Sequence, residues 1–281
     1  MNNMKNGLYI VSTPIGNLGD ITERAKDILC AADYIFCENP NHSVKLLNNL
    51  GIKKKLIGIH DYNENSIISE YGGKINNNLV ALISDAGSPL ISDPGYKLVR
   101  YCVQNNIFVT SIPGATSIIA ALQLSSFPIN EFYFAGFAPK SKSLIKKFIH
   151  EIISIDKTII FLLASRKVSI CLDILEELSD DRKVCIAKEL TKINEGVFVD
   201  FPKKLRLLIE EKKINLKGEF IIIIEAKDNK KLKNDNVPNI DKEIAKLLLK
   251  FSLTDVVKIV HKISGLPKSK VYKKVLSFKN E

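Results

Sequence analysis

Short apolar runs separated by longer segments of mixed apolar and polar residues mark the first 129 residues. Runs of this length are typical of buried strands, whereas the segments between them have the spacing of amphipathic helices. Such an alternation predicts an α/β fold with an open sheet. The predicted strands cover residues 8–11, 34–37, 56–59, 79–83 and 107–112. Helices are expected between them, with a single short one in the polar segment 61–78.

A second series of apolar runs between residues 130 and 227 predicts a second α/β domain. Strands are expected at 132–134, 158–163 and 184–187, and the run 220–224 is expected to close the sheet. One helix should carry lysines on one face and apolar residues on the other: Lys140, Lys142, Lys146 and Lys147 opposite Leu144, Phe148 and Ile149. We therefore predict domains at 1–129 and 130–227.

The last part of the chain has a different pattern. Residues 228–239 are polar without an apolar period and are predicted to be a linker. Three short helical patterns follow within 240–281. Asp241 is expected to cap the first, Ser252 opens the second, which Gly265 closes, and Pro267 opens the third. This order resembles a helix-turn-helix unit, and a helical bundle that makes dimer contacts is the alternative.

Charge is concentrated in this tail. Residues 227–281 hold 14 lysines and 6 acidic residues, a net charge of +8, whereas the first 226 residues hold 27 basic and 25 acidic residues, a net charge of +2. An excess confined to one end favours an anionic partner such as nucleic acid over a general lysine bias. The candidate phosphate contacts are Lys268, Lys270, Lys273 and Lys274. The lysines of the 140–147 segment form either a solvated face or a second RNA-facing edge.

Composition narrows the class further. No apolar run approaches the roughly 20 residues of a membrane span, and the first residues lack the apolar core of a signal peptide, so we expect a cytoplasmic protein without a membrane partner. Five cysteines without a Cys-x-x-Cys pair predict reduced, buried thiols. Four scattered histidines share no metal-ligand spacing, and no metal is expected.

The stretch 79–95 holds the strongest candidate for a ligand site. Its apolar run is followed by two similar turns, 84–87 and 92–95, each of which places a serine and an aspartate beside a glycine. Because ligands of open α/β sheets bind at the carboxyl ends of the strands, we predict a cofactor loop here. The alternative is two ordinary turns built from Asp and Gly.

Two further loops follow predicted strands. Residues 12–19 contain Gly16 and Gly19 but no Gly-x-Gly-x-x-Gly, which argues against the usual Rossmann-type enzymes. Asp20 is expected to cap the next helix, with Glu23 completing a capping box. After the fifth strand, Thr116 and Ser117 begin a helix, where hydroxyls either cap the helix or contact a ligand.

Three blocks together resemble the tetrapyrrole methylase family, and within it the branch of the ribosomal RNA small subunit methyltransferases I. They are LYIVSTPIGNL followed by DIT, the segment 84–95, and PGATS at 113–117; AKELTK at 187–192 and GEF at 218–220 match as well. The resemblance implies two α/β domains of the tetrapyrrole methylase (class III methyltransferase) fold. It further implies a homodimeric enzyme that uses S-adenosyl-L-methionine to methylate the 2′-hydroxyl of a cytidine ribose in small-subunit (16S) rRNA.

The chain departs from the family's pattern in two blocks. The family usually has Glu-Asp-Thr-Arg where this chain has Glu38-Asn39-Pro40-Asn41. It also tends to have Tyr-Glu-Ser-Pro-His-Arg where this chain has the residues 162–167, LLASRK. The loss of acidic groups is expected to change how a hydroxyl is activated or how RNA is held.

The loops and the resemblance together give the predicted site. The expected contacts of S-adenosyl-L-methionine are Pro14, Ile15, Gly16, Ser84, Asp85, Gly87, Ser88, Thr116, Ser117, Leu163 and Ala187. A ribose hydroxyl is a poor nucleophile until a neighbouring group takes its proton, and four acids at loops or strand ends qualify as that base. They are Asp20, Glu38, Asp93 and Glu189, of which Asp93 is favoured because Asp85 is expected to face the cofactor.

Three functions remain open at this point. The first is the rRNA ribose methyltransferase acting on rRNA or on the assembled small ribosomal subunit. The second is a methylase of another small substrate, such as a tetrapyrrole, for which a basic tail has no evident use. The third is an RNA-binding homologue that has lost catalysis.

Overall fold

The computed structural model describes residues 4–178, 181–227, 240–264 and 267–278. Its first sheet has five strands in the order β3-β2-β4-β1-β5, and all neighbours are parallel. The strands are β1 (Gly7–Val11), β2 (Tyr34–Cys37), β3 (Lys55–Gly58), β4 (Leu79–Ile83) and β5 (Val109–Ile112). The predicted α/β class is confirmed, and all carboxyl ends of these strands lie at one edge of the sheet.

Five helices accompany this sheet: α1 (Glu23–Ala31), α2 (Pro40–Asn49), α3 (Glu64–Ile75), α4 (Tyr96–Gln104) and α5 (Ser117–Leu124). Alternate residues of the strands pack on opposite faces. Val11 and Ala81 lie in a core with α1 and α2, whereas Leu8 and Val80 lie in a core with α3 and α4. The helix predicted as short within 61–78 is α3, which has 12 residues.

The helix cap predicted at Asp20 is wrong by two residues. Residues Leu18–Asp20 form a turn of 3₁₀ helix, and Thr22 caps α1 by accepting a 3.1 Å hydrogen bond from Ala25 N. Both Asp and Thr are good caps. Thr22 takes the role because Asn17 and the 3₁₀ turn shift the start of α1.

The second sheet also has five strands, in the order β6-β7-β10-β8-β9. They are β6 (Phe132–Phe137), β7 (Thr158–Ala164), β8 (Val184–Lys188), β9 (Gly196–Asp200) and β10 (Glu219–Ile224). The expectation that β10 closes the sheet is wrong, because β10 pairs with both β7 and β8 and lies at the centre. Its four consecutive isoleucines fit this place, since a central strand is buried on both faces.

One face of the second sheet is covered by α6 (Lys142–Ile152), α7 (Val168–Leu178) and α8 (Pro202–Glu210). On α6 the buried side chains are Ile145, Ile149 and Ile152, whereas Leu144, predicted on the apolar face, is 53% exposed. Lys146 and Lys147 form ion pairs with acidic side chains at the surface. The other face of the sheet packs against α5 and Ile15. Both sheets therefore share one compact unit, Met1–Lys227.

Residues Asp228–Glu281 form a second unit. Its helices are α9 (Ile240–Leu248), α10 (Leu253–Ser264) and α11 (Lys268–Ser277), which confirms the predicted helical tail. A small core joins them, formed by Ile244, Val256, Val257, Val260, Val271 and Val275. Asp241, predicted as a cap, lies inside α9 rather than before it, because α9 already begins at Ile240. The predicted linker 228–239 and Gly265 lie outside the described residues.

Two further predictions concern the whole chain. Cys37, Cys102, Cys171 and Cys185 are free and buried, but Cys30 is free and exposed near the end of α1, so the expectation of burial fails for this residue. Within the described residues, no helix is both long enough and apolar enough to cross a membrane.

Candidate active site

The loops after β1, β4 and β5 are joined to one another at the carboxyl edge of the first sheet. Thr13 and Gly87 exchange two backbone hydrogen bonds of 2.8 and 3.0 Å. The hydroxyls of Ser12 and Ser88 lie 2.9 Å apart, and Ser88 also donates to the carbonyl of Ala115 at 3.4 Å. The structure thus brings the three predicted cofactor loops together.

Close approach of these loops requires glycine. Gly87 has a φ of +78°, and a Cβ there would lie 3.2 Å from Ile15 Cγ2. A Cβ on Gly114 would lie 2.9 Å from the Cβ of Ser12. Glycine is therefore needed at Gly87 for its left-handed backbone and at Gly114 for contact between loops.

Asp85 has a buried carboxylate oxygen, Oδ1, that accepts no hydrogen bond from the described residues. The nearest charged partner is His42 Nδ1 at 3.6 Å, beyond the range of a good hydrogen bond. Because buried acceptors are normally paired, an unpaired carboxylate oxygen in a ligand cleft is suited to a donor on the ligand.

Asp93 lies with two other acids, Glu38 and Asp85. Burial raises the pKa of Asp93 to about 6, and the charges of Glu38 and Asp85 add to this effect, which the Ser84 hydroxyl opposes. The pKa of Glu38 is raised as well, first by burial of its carboxyl group and then by the charges of Asp85 and Asp61, although the residue as a whole is exposed. A carboxyl with a pKa near neutrality is suited to exchange a proton at physiological pH.

The helix α5 begins beside these loops. Thr116 occupies its N-cap position but makes no side-chain cap hydrogen bond, so its hydroxyl is not used by the helix. Ser117 is the first helical residue, and the first backbone N–H groups of a helix have no partner within it. The Thr116 hydroxyl is therefore not used as a helix cap, and a ligand contact by Thr116 and Ser117 stays a prediction.

The first loop also meets the second sheet. A Cβ on Gly16 would lie 2.8 Å from Thr191 Oγ1 and would overlap the side chain of Lys192. Ile15 shares a buried cluster with Ala187 and Leu190. Pro14, Ile15, Gly16 and Ala187 thus lie along one boundary between the two sheets.

Leu163 does not share this boundary through its side chain. It is 4% exposed and packs in the core formed with α6, α7 and α8, on the opposite face of the sheet. Leu162, one residue earlier, is the side chain that faces the cluster of Ile15. The strand alternation of β7 accounts for the difference, because successive residues point to opposite faces.

Two of the four candidate bases are placed away from the acid group. Asp20 is exposed on its 3₁₀ turn and is not among the charges that act on Glu38 or Asp93. Glu189 is engaged by hydrogen bonds from Glu219 N at 2.9 Å and Lys192 Nζ at 3.2 Å. The hydrogen bond from Glu219 N is the main reason that the pKa of Glu189 is lowered. An acid held in this way is a poor base.

Asn39, which stands where the family usually has an aspartate, has a structural role as a helix cap. Asn39 caps α2 through a 3.1 Å hydrogen bond from Asn41 N to its Oδ1 atom, and Pro40 is the first residue of the helix. Asn and Asp cap helices about equally well. The residue here therefore keeps the cap, without adding another negative charge to the neighbourhood of Glu38.

Three residues of this region carry no signal that sequence reasoning could use. Glu64, only 3% exposed, accepts hydrogen bonds from Gly95 N and Lys97 N, each 2.8 Å long. His42 faces Asp85, and Ser43 is buried near Cys37. Glu64 and His42 depend on contacts between segments that are distant in the chain, which a local pattern does not reveal.

The lysines predicted to bind RNA lie on α11 in the tail. Lys268, Lys270 and Lys273 are exposed, while Val271 and Val275 of the same helix are buried in the tail's core. The helix thus separates an apolar side from a basic side.

Comparison with known proteins adds independent information. Residues 7–205 match the family model described as tetrapyrrole (corrin/porphyrin) methylases. A ribosomal RNA small subunit methyltransferase I of Pasteurella multocida is 39% identical over 275 residues, which cover 97% of each chain. Proteins of the same name from Haemophilus influenzae and Rickettsia prowazekii are 37% and 41% identical and cover 94% and 86% of this chain, and 94% and 85% of their own.

Solved structures agree at the level of the fold. The uroporphyrin-III-C-methyltransferase of Thermus thermophilus is similar with a TM-score of 0.55 and 16% identity, covering 79% of this chain and 94% of that one. A diphthine synthase is similar with a TM-score of 0.58 and 13% identity, covering 78% and 89%. With the three relatives and the family model, these likenesses lead to one conclusion. This chain belongs to the tetrapyrrole methylase family, and within it to the group of the ribosomal RNA small subunit methyltransferases I.

Proposed function

We propose that this protein transfers a methyl group from S-adenosyl-L-methionine to the 2′-hydroxyl of a cytidine ribose in small-subunit rRNA, acting in the cytoplasm as a homodimer. The likeness to the rRNA methyltransferases over nearly the whole chain supports the substrate class. The grouping of the half-buried Asp93 with Glu38 and Asp85, within the loops shared with the family, is the observation that carries the mechanism, because burial and these charges raise the pKa of Asp93.

The three joined loops fit a polar, charged cofactor. Asp85 Oδ1 offers an unpaired buried acceptor to a hydroxyl or amino group, and Thr116 offers a hydroxyl not used for capping. Free N–H groups at the start of α5 suit a carboxylate. When bound, S-adenosyl-L-methionine supplies an electrophilic methyl group. The remaining predicted contacts, Pro14, Gly16, Ser84, Ser88 and Ala187, frame the same region, and they stay proposals.

In this proposal Asp93 accepts the proton of the ribose 2′-hydroxyl. A base whose pKa is near the working pH combines a usable ionised fraction with enough basicity to take a proton. Burial, and after it the negative charges of Glu38 and Asp85, keep the pKa of Asp93 high. The loops also hold the nucleophile close to the reacting centre, and positioning of this kind lowers the barrier further.

The basic side of α11 is proposed to bind rRNA phosphates through Lys268, Lys270, Lys273 and Lys274. Phosphate contacts position a protein on its nucleic acid without reading its sequence. A methylase of a small macrocycle has no use for such a helix, which makes a tetrapyrrole a weaker candidate for the substrate. The fold alone does not distinguish the two substrates.

The test is an incorporation assay. The protein is incubated with methyl-labelled S-adenosyl-L-methionine and, in parallel, with small ribosomal subunits from a strain lacking the gene, with deproteinised 16S rRNA, and with a uroporphyrinogen. The proposal expects label in the subunits or in the rRNA only. Label in the macrocycle would favour the second function, and binding of subunits without incorporation would favour a homologue that has lost catalysis.

A further inference from the structure

A polar pocket of about 420 Å³ opens at the end of β8 and β9, in the second sheet. Lysines, an aromatic ring and an exposed apolar side chain line it: Lys188, Lys213, Lys217, Phe198 and Ile193. Its volume is in the range of pockets that hold a small-molecule or nucleotide unit.

Lys188 is the unusual member of this pocket. It is only 6% exposed, yet among the described residues no carboxylate forms an ion pair with it. Its Nζ donates a 2.9 Å hydrogen bond to Asn215 O and lies 5.8 Å from the centre of the Phe220 ring. An ammonium group has three N–H donors, and a buried charge without a counter-ion is costly. Lys188 is therefore prepared for an anion.

None of the described acids of the pocket forms an ion pair with Lys188, although its charge acts on Glu189, whose pKa is lowered first by the hydrogen bond from Glu219 N. Glu189 is engaged by Glu219 N and Lys192, and Glu195 accepts a 2.6 Å hydrogen bond from Thr191 N. Lys213 is paired with Glu211 at 2.7 Å. Lys217, which also lines the pocket, is exposed and has no partner among the described residues. The buried Lys188 and the exposed Lys217 leave two positive charges for a ligand.

The pocket is connected to the candidate active site through the chain, although the side chains of Lys188 and Phe198 lie on the face of the second sheet that α6, α7 and α8 cover, opposite Ile15. Its residues Lys188 and Glu189 directly precede the segment 190–192, which packs against Gly16 of the first cofactor loop. Phe198 offers a partly accessible ring, and aromatic rings beside basic groups are the usual means of holding an unpaired nucleotide.

Building on the proposed function, we propose that this pocket holds one nucleotide of the substrate rRNA that flanks the target. Its phosphate contacts Lys188 and Lys217, and its base stacks on Phe198. This site is not predicted by the sequence blocks of the family or by the charge of the tail. Lys188 lies within a strand, and Lys217 is more than 25 residues from Lys188 in the chain.

The experiment compares Lys188→Met and Lys217→Met with Lys53→Met, which removes an equal charge from an exposed lysine in the loop before β3. Binding of a fluorescent single-stranded oligoribonucleotide and of small subunits is measured at 50 and 200 mM salt. One lost phosphate contact reduces the salt slope by about 0.7–0.9, so the ratio of the two affinities falls about threefold. The proposal expects this threefold fall in both pocket variants, together with an unchanged kcat and a raised KM for small subunits.

Three results would overturn the proposal. The first is a wild-type salt slope in Lys217→Met, a variant whose exposed side chain can change without unfolding the protein. The second is an equal loss of salt slope in Lys53→Met. The third is weaker binding of S-adenosyl-L-methionine with unchanged RNA binding, which would show that the pocket binds the cofactor rather than an RNA phosphate. RNA binding and methyl transfer are measured in separate assays, so the pocket and the proposed reaction can fail independently. RNA binding that depends on Lys188 and Lys217, without methyl transfer by the wild type, would keep the pocket and reject the proposed reaction.

Discussion

Glu64 holds Gly95 in place: Glu64 Oε1 accepts a 2.8 Å hydrogen bond from Gly95 N, two residues after Asp93. Glu64 Oε2 accepts a second 2.8 Å bond from Lys97 N at the start of α4. Gly95 itself has a φ of +121°, and a Cβ there would lie 2.7 Å from Leu82 Cδ2. A buried carboxylate on α3 thus anchors the end of the loop that carries Asp93.

Glu64→Gln should destabilise the protein, because an amide places an N–H group against one of the two backbone donors. Leaving a buried donor unsatisfied costs about 1–3 kcal/mol. Urea unfolding should show a lower midpoint with an unchanged m-value. Glu70→Gln, at an exposed position of the same helix, is the matched control and should stay within about 0.5 kcal/mol of the wild type. Equal midpoints for both variants would show that the anchor is unimportant.

The pH dependence of methyl transfer should report the ionisation of Asp93. Its carboxylate is the active form of the base, and its pKa is raised to about 6. The value of kcat/KM should therefore fall as the pH drops through about 6 and reach a plateau above about 7. Glu38→Gln removes a neighbouring negative charge, which lowers the pKa of Asp93. The acid limb of the profile, where kcat/KM falls, should therefore move to lower pH.

Asp93→Asn is the complement of that experiment. It should slow transfer strongly, remove the acid limb, and leave the affinity for S-adenosyl-L-methionine within a few-fold of the wild type. This combination marks an interaction made mainly in the transition state. A limb that persists at the same pH in Asp93→Asn would assign it to another group, and wild-type turnover would remove Asp93 from the mechanism.

Asp85→Ala should weaken S-adenosyl-L-methionine binding, because a donor on the cofactor loses its buried acceptor. Calorimetry measures the affinity, and circular dichroism checks the fold. Asp85→Asn keeps the shape and one acceptor, so its loss should be smaller than that of Asp85→Ala. Unchanged affinity in both variants would place the cofactor away from this loop.

Removal of residues 230–281 should leave cofactor binding intact and should lower both the affinity for small subunits and its salt slope. Each lost phosphate contact removes about 0.7–0.9 from that slope. Lys270→Gln with Lys273→Gln changes only exposed side chains of α11, so it tests the basic side without unfolding the tail. Lys53→Gln with Lys203→Gln is the control of equal charge. A tail used for dimerisation alone predicts a monomer on size exclusion and an unchanged slope.

Local patterns were sufficient for much of the first sheet. Strands such as Leu79–Ile83 have clear apolar runs, and the glycine turns after β4 indicate a ligand loop without any knowledge of the pairing. The family blocks place Asp85 and Asp93 in that loop. These features lie within a few residues of one another, so the sequence expresses them directly.

Other features depend on contacts across the chain and were missed. The strand β9 and the helices α7 and α8 are not among the predicted elements, although the buried residues Val168, Cys171, Leu172 and Leu175 give α7 the spacing of an amphipathic helix. The central place of β10 follows from pairing with β7 and β8, which no local pattern encodes. Glu189 was a candidate base by position, yet the backbone of Glu219 engages its carboxylate. The anchoring role of Glu64 likewise depends on a hydrogen bond between residues 31 positions apart.

The position of the transferred methyl group tests the central claim most directly. Small-subunit rRNA methylated by the protein with labelled S-adenosyl-L-methionine is hydrolysed with alkali, which needs a free 2′-hydroxyl to cut the following phosphodiester. A 2′-O-methyl group blocks that cut, so the account predicts label in an alkali-resistant dinucleotide that yields 2′-O-methylcytidine on enzymatic digestion. Label recovered in mononucleotides, as a methylated base, would contradict it.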